Sequence, residues 1–335
     1  MDTDQSGLLS VIVPAHNEAP GIEHAVGVIG EALAPSGMRW EIIVVDDGSS
    51  DGTFDRVRAL ARTDARIKGL RFTRNFGKEA ALLAGLRAAR GDAVVTIDAD
   101  LQHPPHLIPK MIQEWQKGCM VVDAVKRSRD NDGIFARLRA RLFNSLLSRL
   151  GGIDLSNSSD FKLLDRAVVD TIARRLPERE RFYRGLSDWV GHRHISIPFD
   201  VEMRVQGQGK WTFWKLVALA ITAMVSFTSA PLRIVTALGF VTLIFGFAVG
   251  TEALIGWSQG RAISGFTTTI CTLLILGSFI MLSLGIIGEY IAKIYDEIKA
   301  RPSYLVESAI GVEDEEAVTS EGTLLGVRPV SRYQP

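Results

Sequence analysis

Residues 93–105 read AVVTIDADLQHPP, and this stretch decides how the whole chain is interpreted. The apolar run 93–97 predicts a buried strand that ends at Asp98-Ala99-Asp100. Because alternate residues of an extended chain point the same way, Asp98 and Asp100 can face one point, with Gln102 at the next alternate position. Such oxygen ligands suit a hard divalent cation that bridges diphosphate oxygens. An isolated Asp-x-Asp triplet is usually surface charge. A metal site is therefore predicted only if other features of the sequence support it.

Strand and helix patterns alternate around this stretch. Apolar runs predict strands at 8–13, 41–45, 67–72, 93–97 and 120–125, and helical spacing predicts helices at 21–33, 51–61, 78–89 and 105–116. This alternation is typical of an α/β fold with a mostly parallel sheet. Ligands of such sheets bind beyond the carboxyl ends of the strands.

A second acidic segment, Asp46-Asp47-Gly48-Ser49, also follows a predicted strand and so supports the interpretation of Asp98 and Asp100. Asp46 or Asp47 could accept hydrogen bonds from a base or a ribose. The simpler alternative is a turn that leads into the next helix, with Asp51 as its cap.

The composition excludes several classes of protein. The 335 residues include 38 basic and 38 acidic ones, so no bulk charge indicates nucleic acid as a partner. Two cysteines make a disulfide framework unlikely in any form. The polar, acidic residues 1–5 do not resemble a secretory signal, which predicts a first domain that stays in the cytoplasm.

Two apolar segments, 231–255 and 266–291, are each long enough to cross a hydrocarbon core of about 30 Å as a helix. A buried core helix is the less favoured alternative. The linker 256–261 carries one basic residue, whereas Lys215, Arg233, Lys293, Lys299 and Arg301 flank the pair. The positive-inside rule therefore predicts two transmembrane helices in the inner membrane, with both flanks in the cytoplasm.

Residues 211–229 are apolar but marginal as a span, and Trp211 and Trp214 suit the headgroup level. We expect an interfacial amphipathic helix here, and a third span is the alternative. The predicted organisation is a catalytic domain at 1–210, this helix at 211–229, a two-helix transmembrane domain at 230–292, and a cytoplasmic C-terminal helix with a disordered tail at 293–335.

Several ordered motifs carry a resemblance to a known family. They are PAHNE at 14–18, DDGSSDGT at 46–53, RNFGK at 74–78, DADLQHPP at 98–105, and GEYI with RPSY at 288–291 and 301–304. Together they resemble inverting glycosyltransferases of family 2, in the polyprenyl-phosphate branch that includes bactoprenol glucosyltransferase and dolichol-phosphate mannose synthase. The resemblance covers about residues 8–307.

The resemblance implies a GT-A-like, Rossmann-related fold, a nucleotide-sugar donor, a polyprenyl phosphate acceptor, Mg²⁺ or Mn²⁺ as cofactor, and a homo-oligomer. Glucose from a UDP-linked donor is the first expectation. Mannose from a GDP-linked donor, an N-acetylhexosamine and a modified arabinose remain open. The motifs leave the lipid's chain length undefined.

The resemblance also assigns roles to residues of the donor site. Pro14, Glu18, Asp46, Asp47, Lys78 and Ala99 are expected at the donor, and Asp98, Asp100 and Gln102 are expected to hold the metal and the donor diphosphate. The segment 204–210 is similar to the family's Arg-x-x-Gly-x-Ser-Lys loop, which implies that Arg204 and Lys210 bind the diphosphate. Gly209 replaces the serine of that loop. His16 and His103 also depart from the family pattern, and neither is expected to be a metal ligand.

The acceptor side is predicted from basic residues. Arg137 and Arg141 lie four residues apart, hence on one helical face, and with Arg127 they are expected to bind the acceptor phosphate, which arginine can grip bidentately. Asp160, in a segment that resembles the family's Ser/Gly-Asp-Phe-Arg-Leu, could orient the sugar or the acceptor. A structural cap is the alternative for Asp160.

Three other functions are disfavoured by the sequence. A processive polysaccharide synthase would carry a Gln-x-x-Arg-Trp motif, which is missing from 181–189. A dinucleotide-dependent reductase would carry Gly-x-Gly-x-x-Gly after the first strand. A non-catalytic membrane adaptor would not need Asp98, Asp100, Arg204 and Lys210. The predicted reaction is a direct in-line attack of phosphate oxygen on the anomeric carbon.

Overall fold

The computed structural model describes residues 7–126, 159–176, 183–199, 230–260 and 266–312. These residues divide into two compact units. The first unit contains 7–126, 159–176, 183–199 and 301–312, and the second contains 230–260 and 266–300. The predicted interfacial helix at 211–229 lies outside the described residues.

The first unit is built on an 8-stranded mixed sheet with the order β7-β5-β6-β4-β1-β2-β3-β8. The strands are β1 (Leu8–Ala15), β2 (Arg39–Asp46), β3 (Ile67–Phe72), β4 (Ala93–Thr96), β5 (Val121–Lys126), β6 (Lys162–Asp165), β7 (His194–Phe199) and β8 (Val306–Ile310). Pairing is parallel for β1 with β2 and β4, for β2 with β3, and for β5 with β7. It is antiparallel for β6 with β4 and β5, and for β8 with β3.

Helices pack on both faces of this sheet. In the described part of the unit they are α1 (Ile22–Leu33), α2 (Thr53–Thr63), α3 (Lys78–Ala88), α4 (Ile108–Gln116), α5 (Arg166–Asp170) and α6 (Tyr183–Trp189). Because side chains alternate along a strand, Leu9 and Val11 face a core cluster that includes residues of α1, α2 and α4. Ile12 points to the opposite face, towards α3.

The parallel register brings the ends of three central strands to one edge of the sheet. Ala15 pairs with Asp46, and Ile12 pairs with Thr96, so the segments that follow β1, β2 and β4 leave the sheet on the same side. These segments carry the acidic motifs of the sequence. The expected α/β fold is therefore confirmed, and the acidic residues predicted to bind ligands lie at the carboxyl edge of its sheet.

The structure departs from the sequence-based expectation at several elements. The short strands β6 and β7 were not predicted. Within 293–335 the expected helix ends at Ile298, and Val306–Ile310 forms a strand that was not predicted, β8, because it pairs with the edge of β3. The tail predicted to be disordered from about residue 312 lies outside the described residues. The N-cap of α2 is Gly52 rather than Asp51, although Asp51 Oδ1 accepts a hydrogen bond from the Thr53 amide at 3.0 Å.

The second unit consists of two long helices in its described part, α7 (Ala230–Ser258) and α8 (Phe266–Ile298). The segments Leu232–Ser258 and Thr269–Ile298 are each long and apolar enough to cross a membrane. The most apolar stretch of each is not buried within the protein. Large apolar side chains such as Phe247 and Trp257, each 79% exposed, cover their surface. Such a surface is typical of a helix that contacts lipid or another protein rather than water.

Gly85 on α3 sets how closely that helix approaches the sheet. A Cβ at Gly85 would lie 2.3 Å from Ile12 Cγ2, and Ile12 is fully buried in a central strand with no room to move. We predict that Gly85→Ala lowers the free energy of unfolding by about 1–3 kcal/mol, the usual range for overpacking a core. A lower melting temperature of the detergent-solubilised protein would show this.

Gly27→Ala is the matched control, because Gly27 is also helical but a Cβ there meets nothing within 4 Å. Alanine has the higher helix propensity, so this variant should melt at the same or a higher temperature. Equal melting temperatures for Gly85→Ala and the wild type would contradict the close packing of α3 on β1.

Candidate active site

The loops after β1 and β2 are joined by hydrogen bonds at the carboxyl edge of the sheet. The Asn17 amide donates to Ser49 Oγ at 2.9 Å, and the Glu18 amide donates to Thr53 Oγ1 at 3.0 Å. Asn17 has a φ of 56°, a left-handed conformation that asparagine tolerates better than most residues. These bonds fix Glu18 beside the second acidic motif, while Pro14 lies half-buried near the end of β1.

Asp46 and Asp47 organise the second loop. Asp47 accepts hydrogen bonds from the amides of Phe76 at 2.6 Å and Gly77 at 2.9 Å, and Asp46 accepts one from the Ser49 amide at 3.0 Å. Both carboxylates are buried. Asp47 binds backbone amides through both oxygens and Asp46 does so through Oδ1, and contact with a nucleotide stays a prediction for both residues.

The Asp98-Ala99-Asp100 motif lies just beyond β4. Asp98 is half-buried, Ala99 is buried, and Asp100 is exposed, with its Oδ1 accepting the Gln102 amide at 3.1 Å. The chain does not stay extended here, since it turns at Ala99 and Asp100 and Leu101 has a φ of 53°. The two carboxylates therefore share one turn instead of alternating along a strand, which corrects the geometric part of the sequence argument.

The charges at this edge repel one another. Burial raises the pKa of Glu18, and the nearby carboxylates of Asp100, Asp51 and Asp98 raise it further. A divalent cation with oxygen ligands would relieve this repulsion. The donor set of Asp98, Asp100 and Gln102 therefore fits Mg²⁺ or Mn²⁺ chemically.

Lys78, at the start of α3, links two of the three aspartates that the sequence predicts to act in the reaction. Its Nζ lies 2.6 Å from Asp98 Oδ1 and 2.8 Å from Asp160 Oδ2. Arg184 of α6 binds Asp160 from the other side. Its Nε donates to Asp160 Oδ1 and its Nη2 donates to Asp160 Oδ2, each at 2.7 Å. Asp160 is thus a charged group of the site and does not cap a helix.

The network fixes the ionisation of Asp160. Burial alone would raise the pKa of this carboxyl, but the Arg184 hydrogen bonds and the Lys78 charge hold the pKa well below its usual range. Burial likewise lowers the pKa of Lys78, yet Asp160 and Asp98 outweigh it and keep the ammonium charged. Arg184 could not be identified from the sequence. Its role depends on the buried Asp160 carboxylate, which only the fold brings next to it.

Glu79 borders this network on the buried side. It accepts the Tyr183 amide at 2.9 Å, and burial raises its pKa from 4.5 to about 7. Tyr183 is fully enclosed, and its hydroxyl lies 3.0 Å from Thr96 Oγ1, which in turn donates to the Asp160 carbonyl at 2.6 Å. The end of β4 and the start of α6 are therefore joined beneath the site.

The two histidines that depart from the family pattern each lie next to one of the acidic residues predicted for the site. His103 is buried against Phe161, and its Nδ1 lies 3.7 Å from Asp98 Oδ2. His16 Nδ1 lies 2.8 Å from the Asp47 carbonyl oxygen. His103 therefore lies next to the predicted metal ligand Asp98, and the expectation that it is not itself a metal ligand stays a prediction.

A second charged cluster, which the sequence did not reveal, surrounds the buried side chain of Lys162. Oxygen and nitrogen atoms of Asp123, Asp188 and His194 lie within 4.8 Å of one another, a spacing that a metal ion can use. However, Lys162 Nζ lies 3.1 Å from Asp123 and 4.0 Å from Asp188. This ammonium already supplies a cation, and the Asp123 hydrogen bond raises the pKa of His194. We interpret the cluster as a structural ion network that joins β5, β6 and β7.

The structure thus brings Asp160 to the same edge of the sheet as most of the predicted donor residues, which are Pro14, Glu18, Asp46, Asp47, Lys78, Asp98, Ala99, Asp100 and Gln102. The remaining predicted residues lie outside the described part of the chain: Arg127, Arg137, Arg141, Arg204 and Lys210. Their roles stay predictions.

Comparison with known proteins assigns the class. The family model of glycosyl transferase family 2 matches residues 10–173, and that of the GtrB C-terminal hairpin matches residues 230–294. An uncharacterised glycosyltransferase of Synechocystis sp. is 39% identical over 307 residues, covering 91% of this chain and 96% of the relative. The bactoprenol glucosyl transferase of Shigella phage SfX is 37% identical over 302 residues, covering 90% of this chain and 99% of the relative.

A solved mannosyltransferase from Pyrobaculum calidifontis, in complex with GDP-Man and Mn²⁺, is 21% identical with a TM-score of 0.44, and the match covers 83% of this chain and 87% of that one. The family matches define a glycosyltransferase, here with an eight-stranded mixed sheet and two long apolar helices in the described residues. More specifically, the chain belongs to glycosyltransferase family 2 and carries the GtrB C-terminal hairpin, so the resemblance seen in its motifs is confirmed.

The raised pKa of Glu79 predicts a pH-dependent stability. The folded protein keeps this proton up to about pH 7, whereas the unfolded chain loses it near 4.5. The folded state binds more protons in this window, so stability falls as the pH rises through it. Glu79→Gln should match the wild type in melting temperature near the lower end of the window and exceed it near the upper end.

Glu31→Gln, at an exposed position on α1, is the control and should follow the wild type at every pH. A melting temperature of Glu79→Gln that runs parallel to the wild type across the window would contradict the buried, protonated state of Glu79.

Proposed function

We propose that this chain transfers glucose from UDP-glucose to a polyprenyl phosphate such as undecaprenyl phosphate, at the cytoplasmic face of the inner membrane. The observation that carries the proposal is the similarity to bactoprenol glucosyl transferases at 36–37% identity over 89–90% of the chain. The acidic edge of the sheet supports it, since a sugar diphosphate with a cation matches that charge. The product, a lipid-linked sugar, would serve modification of the cell envelope.

The donor would bind at the carboxyl edge, with Pro14, Glu18, Asp46 and Asp47 on the nucleotide side. Asp98, Asp100 and Gln102 would hold Mg²⁺ or Mn²⁺, which when bound neutralises charge on the donor diphosphate. Lys78 keeps Asp98 and Asp160 at fixed separation through its two ion pairs. Arg204 and Lys210 would add positive charge around the diphosphate and stabilise the leaving group.

The acceptor phosphate would be held by Arg127, Arg137 and Arg141. A phosphate monoester is largely ionised at neutral pH, so it needs positioning more than a general base. The depressed pKa of Asp160 agrees with this, because a carboxylate paired with Arg184 and Lys78 is a poor proton acceptor. Asp160 would orient the sugar or the acceptor instead.

The reaction would be one displacement. A phosphate oxygen of the acceptor forms a bond to the anomeric carbon while the bond from that carbon to the donor diphosphate breaks. The nucleoside diphosphate leaves with the electron pair, and the configuration of the anomeric carbon inverts. No proton has to move in this step, which is why the site can work with fixed charges.

The membrane part of the proposal follows from α7 and α8. Both helices would cross the bilayer, with the linker 256–261 outside and the catalytic unit in the cytoplasm, as the basic flanking residues predict. An interfacial helix at 211–229 would complete the anchor. A homo-oligomer is also proposed, on family resemblance alone.

The donor is the first point to test. Membranes that contain the protein should transfer radiolabel from UDP-glucose to added polyprenyl phosphate, and the label should enter the organic phase. A panel of UDP-glucose, GDP-mannose and UDP-N-acetylglucosamine distinguishes the sugars. NMR of the product should show a β-linked glucosyl phosphate from the α-linked donor, because a single displacement inverts.

Label from GDP-mannose instead would replace glucose by mannose within the same reaction. Retention of the anomeric configuration would contradict the single displacement. Transfer from none of the donors, by a folded protein, would favour a non-catalytic membrane adaptor, and a growing water-soluble polymer would favour a processive synthase.

Metal dependence is the second point. Asp100→Asn removes one charge of the proposed metal site and should lower the transfer rate at least about 100-fold, the usual effect of losing a group that stabilises transition-state charge. EDTA should abolish the transfer, and added Mg²⁺ or Mn²⁺ should restore it. The exposed Asp55→Asn on α2 is the matched control and should keep the wild-type rate. Full activity of Asp100→Asn would contradict the assignment of Asp100 to the metal site.

A further inference from the structure

The segment that follows the two apolar helices is part of the catalytic sheet. β8 pairs antiparallel with β3, so β3 is not an open edge strand. Tyr304, just before β8, is buried and stacks on Phe72 at 5.0 Å with an interplanar angle of 13°. The Thr73 amide donates to the Leu305 carbonyl oxygen at 3.0 Å. The segment 304–310 is therefore docked by packing as well as by backbone hydrogen bonds.

This docked segment reaches the loop after β2 through one side chain, Arg71 of β3. Arg71 Nε lies 3.1 Å from Glu307 Oε2 on β8 and 3.7 Å from Asp46 Oδ2. A terminal nitrogen of Arg71 donates to the Ser49 carbonyl oxygen at 3.4 Å. The pairing register between β3 and β8 shifts between Arg71 and Phe72, next to this contact.

Asp46 needs such a partner. Its side chain has no exposed surface, and burial raises its pKa while the Ser49 hydrogen bonds and the Arg71 charge oppose that rise. A buried carboxylate is costly unless a cation or hydrogen-bond donors balance it. Asp46 also accepts the Ser49 amide, so the position of Arg71 bears directly on the shape of the loop 46–53.

We propose that the segment 304–310 positions the donor loop 46–53 through Arg71, which makes Arg71 and Glu307 positioning residues for the transfer reaction. Glu307 lies against the guanidinium, which donates to the Ser49 carbonyl oxygen and places its positive charge beside Asp46 of the loop. The neighbouring Asp47 carboxylate then stays bound to the amides of Phe76 and Gly77. The part of this inference that concerns the donor rests on the proposed function, whereas the order of the loop does not.

The test compares Arg71→Gln, Arg71→Lys and Glu307→Gln in the full-length, detergent-solubilised protein. Without any ligand, hydrogen–deuterium exchange of peptides covering 46–53 should be at least about tenfold faster in Arg71→Gln, since a buried carboxylate loses its partner. Glu307→Gln should show a smaller increase of roughly two- to fivefold, the size expected of a half-exposed ion pair. Arg71→Lys keeps the charge and should restore part of the protection.

In the transfer assay the same variants should raise KM for UDP-glucose with kcat within about twofold of the wild type, because uniform donor binding is affected. Ala309→Ser, exposed on the same strand and paired with Leu70 instead of Arg71, is the matched control and should change neither exchange nor KM.

Unchanged exchange at 46–53 in both Arg71→Gln and Glu307→Gln would overturn the inference. Equal acceleration over the whole sheet would overturn it too, because β8 would then only protect the sheet edge. A wild type that uses no donor would refute the proposed function, while the exchange data would still decide whether the segment orders the loop.

Discussion

A single ammonium group, Nζ of Lys78, connects the two loops on which the site depends. It bridges Asp98 after β4 and Asp160 before β6, at 2.6 and 2.8 Å. Asp160 is further bound by Arg184 of α6, and its carbonyl accepts Thr96 Oγ1 of β4. Without this cation two carboxylates would face each other in a partly desolvated space, and the antiparallel insertion of β6 beside β4 would bring repulsion to the centre of the site.

The site is balanced on one side and negative on the other. Lys78 and Arg184 compensate Asp160, while the environment of Glu18 and Asp100 raises the pKa of Glu18 through burial and negative charge. This asymmetry suits a donor that arrives as an anionic diphosphate with a divalent cation. Asp160 stays bound to Lys78 and Arg184, and the carboxylates on the other side remain available to bind the incoming divalent cation. The buried Lys162 network with Asp123 serves stability instead, since its cation is already part of the chain.

The sequence predicted what local patterns can encode. Apolar runs located β1 to β5, and the order of acidic motifs located the carboxyl edge, because parallel strands place their ends together. It could not reveal β6, a four-residue strand, or β8, because their pairing partners are distant in the chain. Arg184 and Arg71 were missed for the same reason: each gains its role from a carboxylate that only the fold brings near. The turn at Leu101 was missed because a positive φ is uncommon for leucine.

The proposed mechanism depends on a divalent metal site at Asp98 and Asp100 that works with a nucleoside diphosphate. Electron paramagnetic resonance of Mn²⁺, titrated into the solubilised protein with UDP present, measures metal binding without turnover. We expect Asp100→Asn to weaken Mn²⁺ binding by at least about tenfold, and Asp188→Asn, in the cluster around Lys162, to leave it unchanged. Equal binding by Asp100→Asn and the wild type, or loss of binding in Asp188→Asn alone, would contradict a metal site at Asp98 and Asp100.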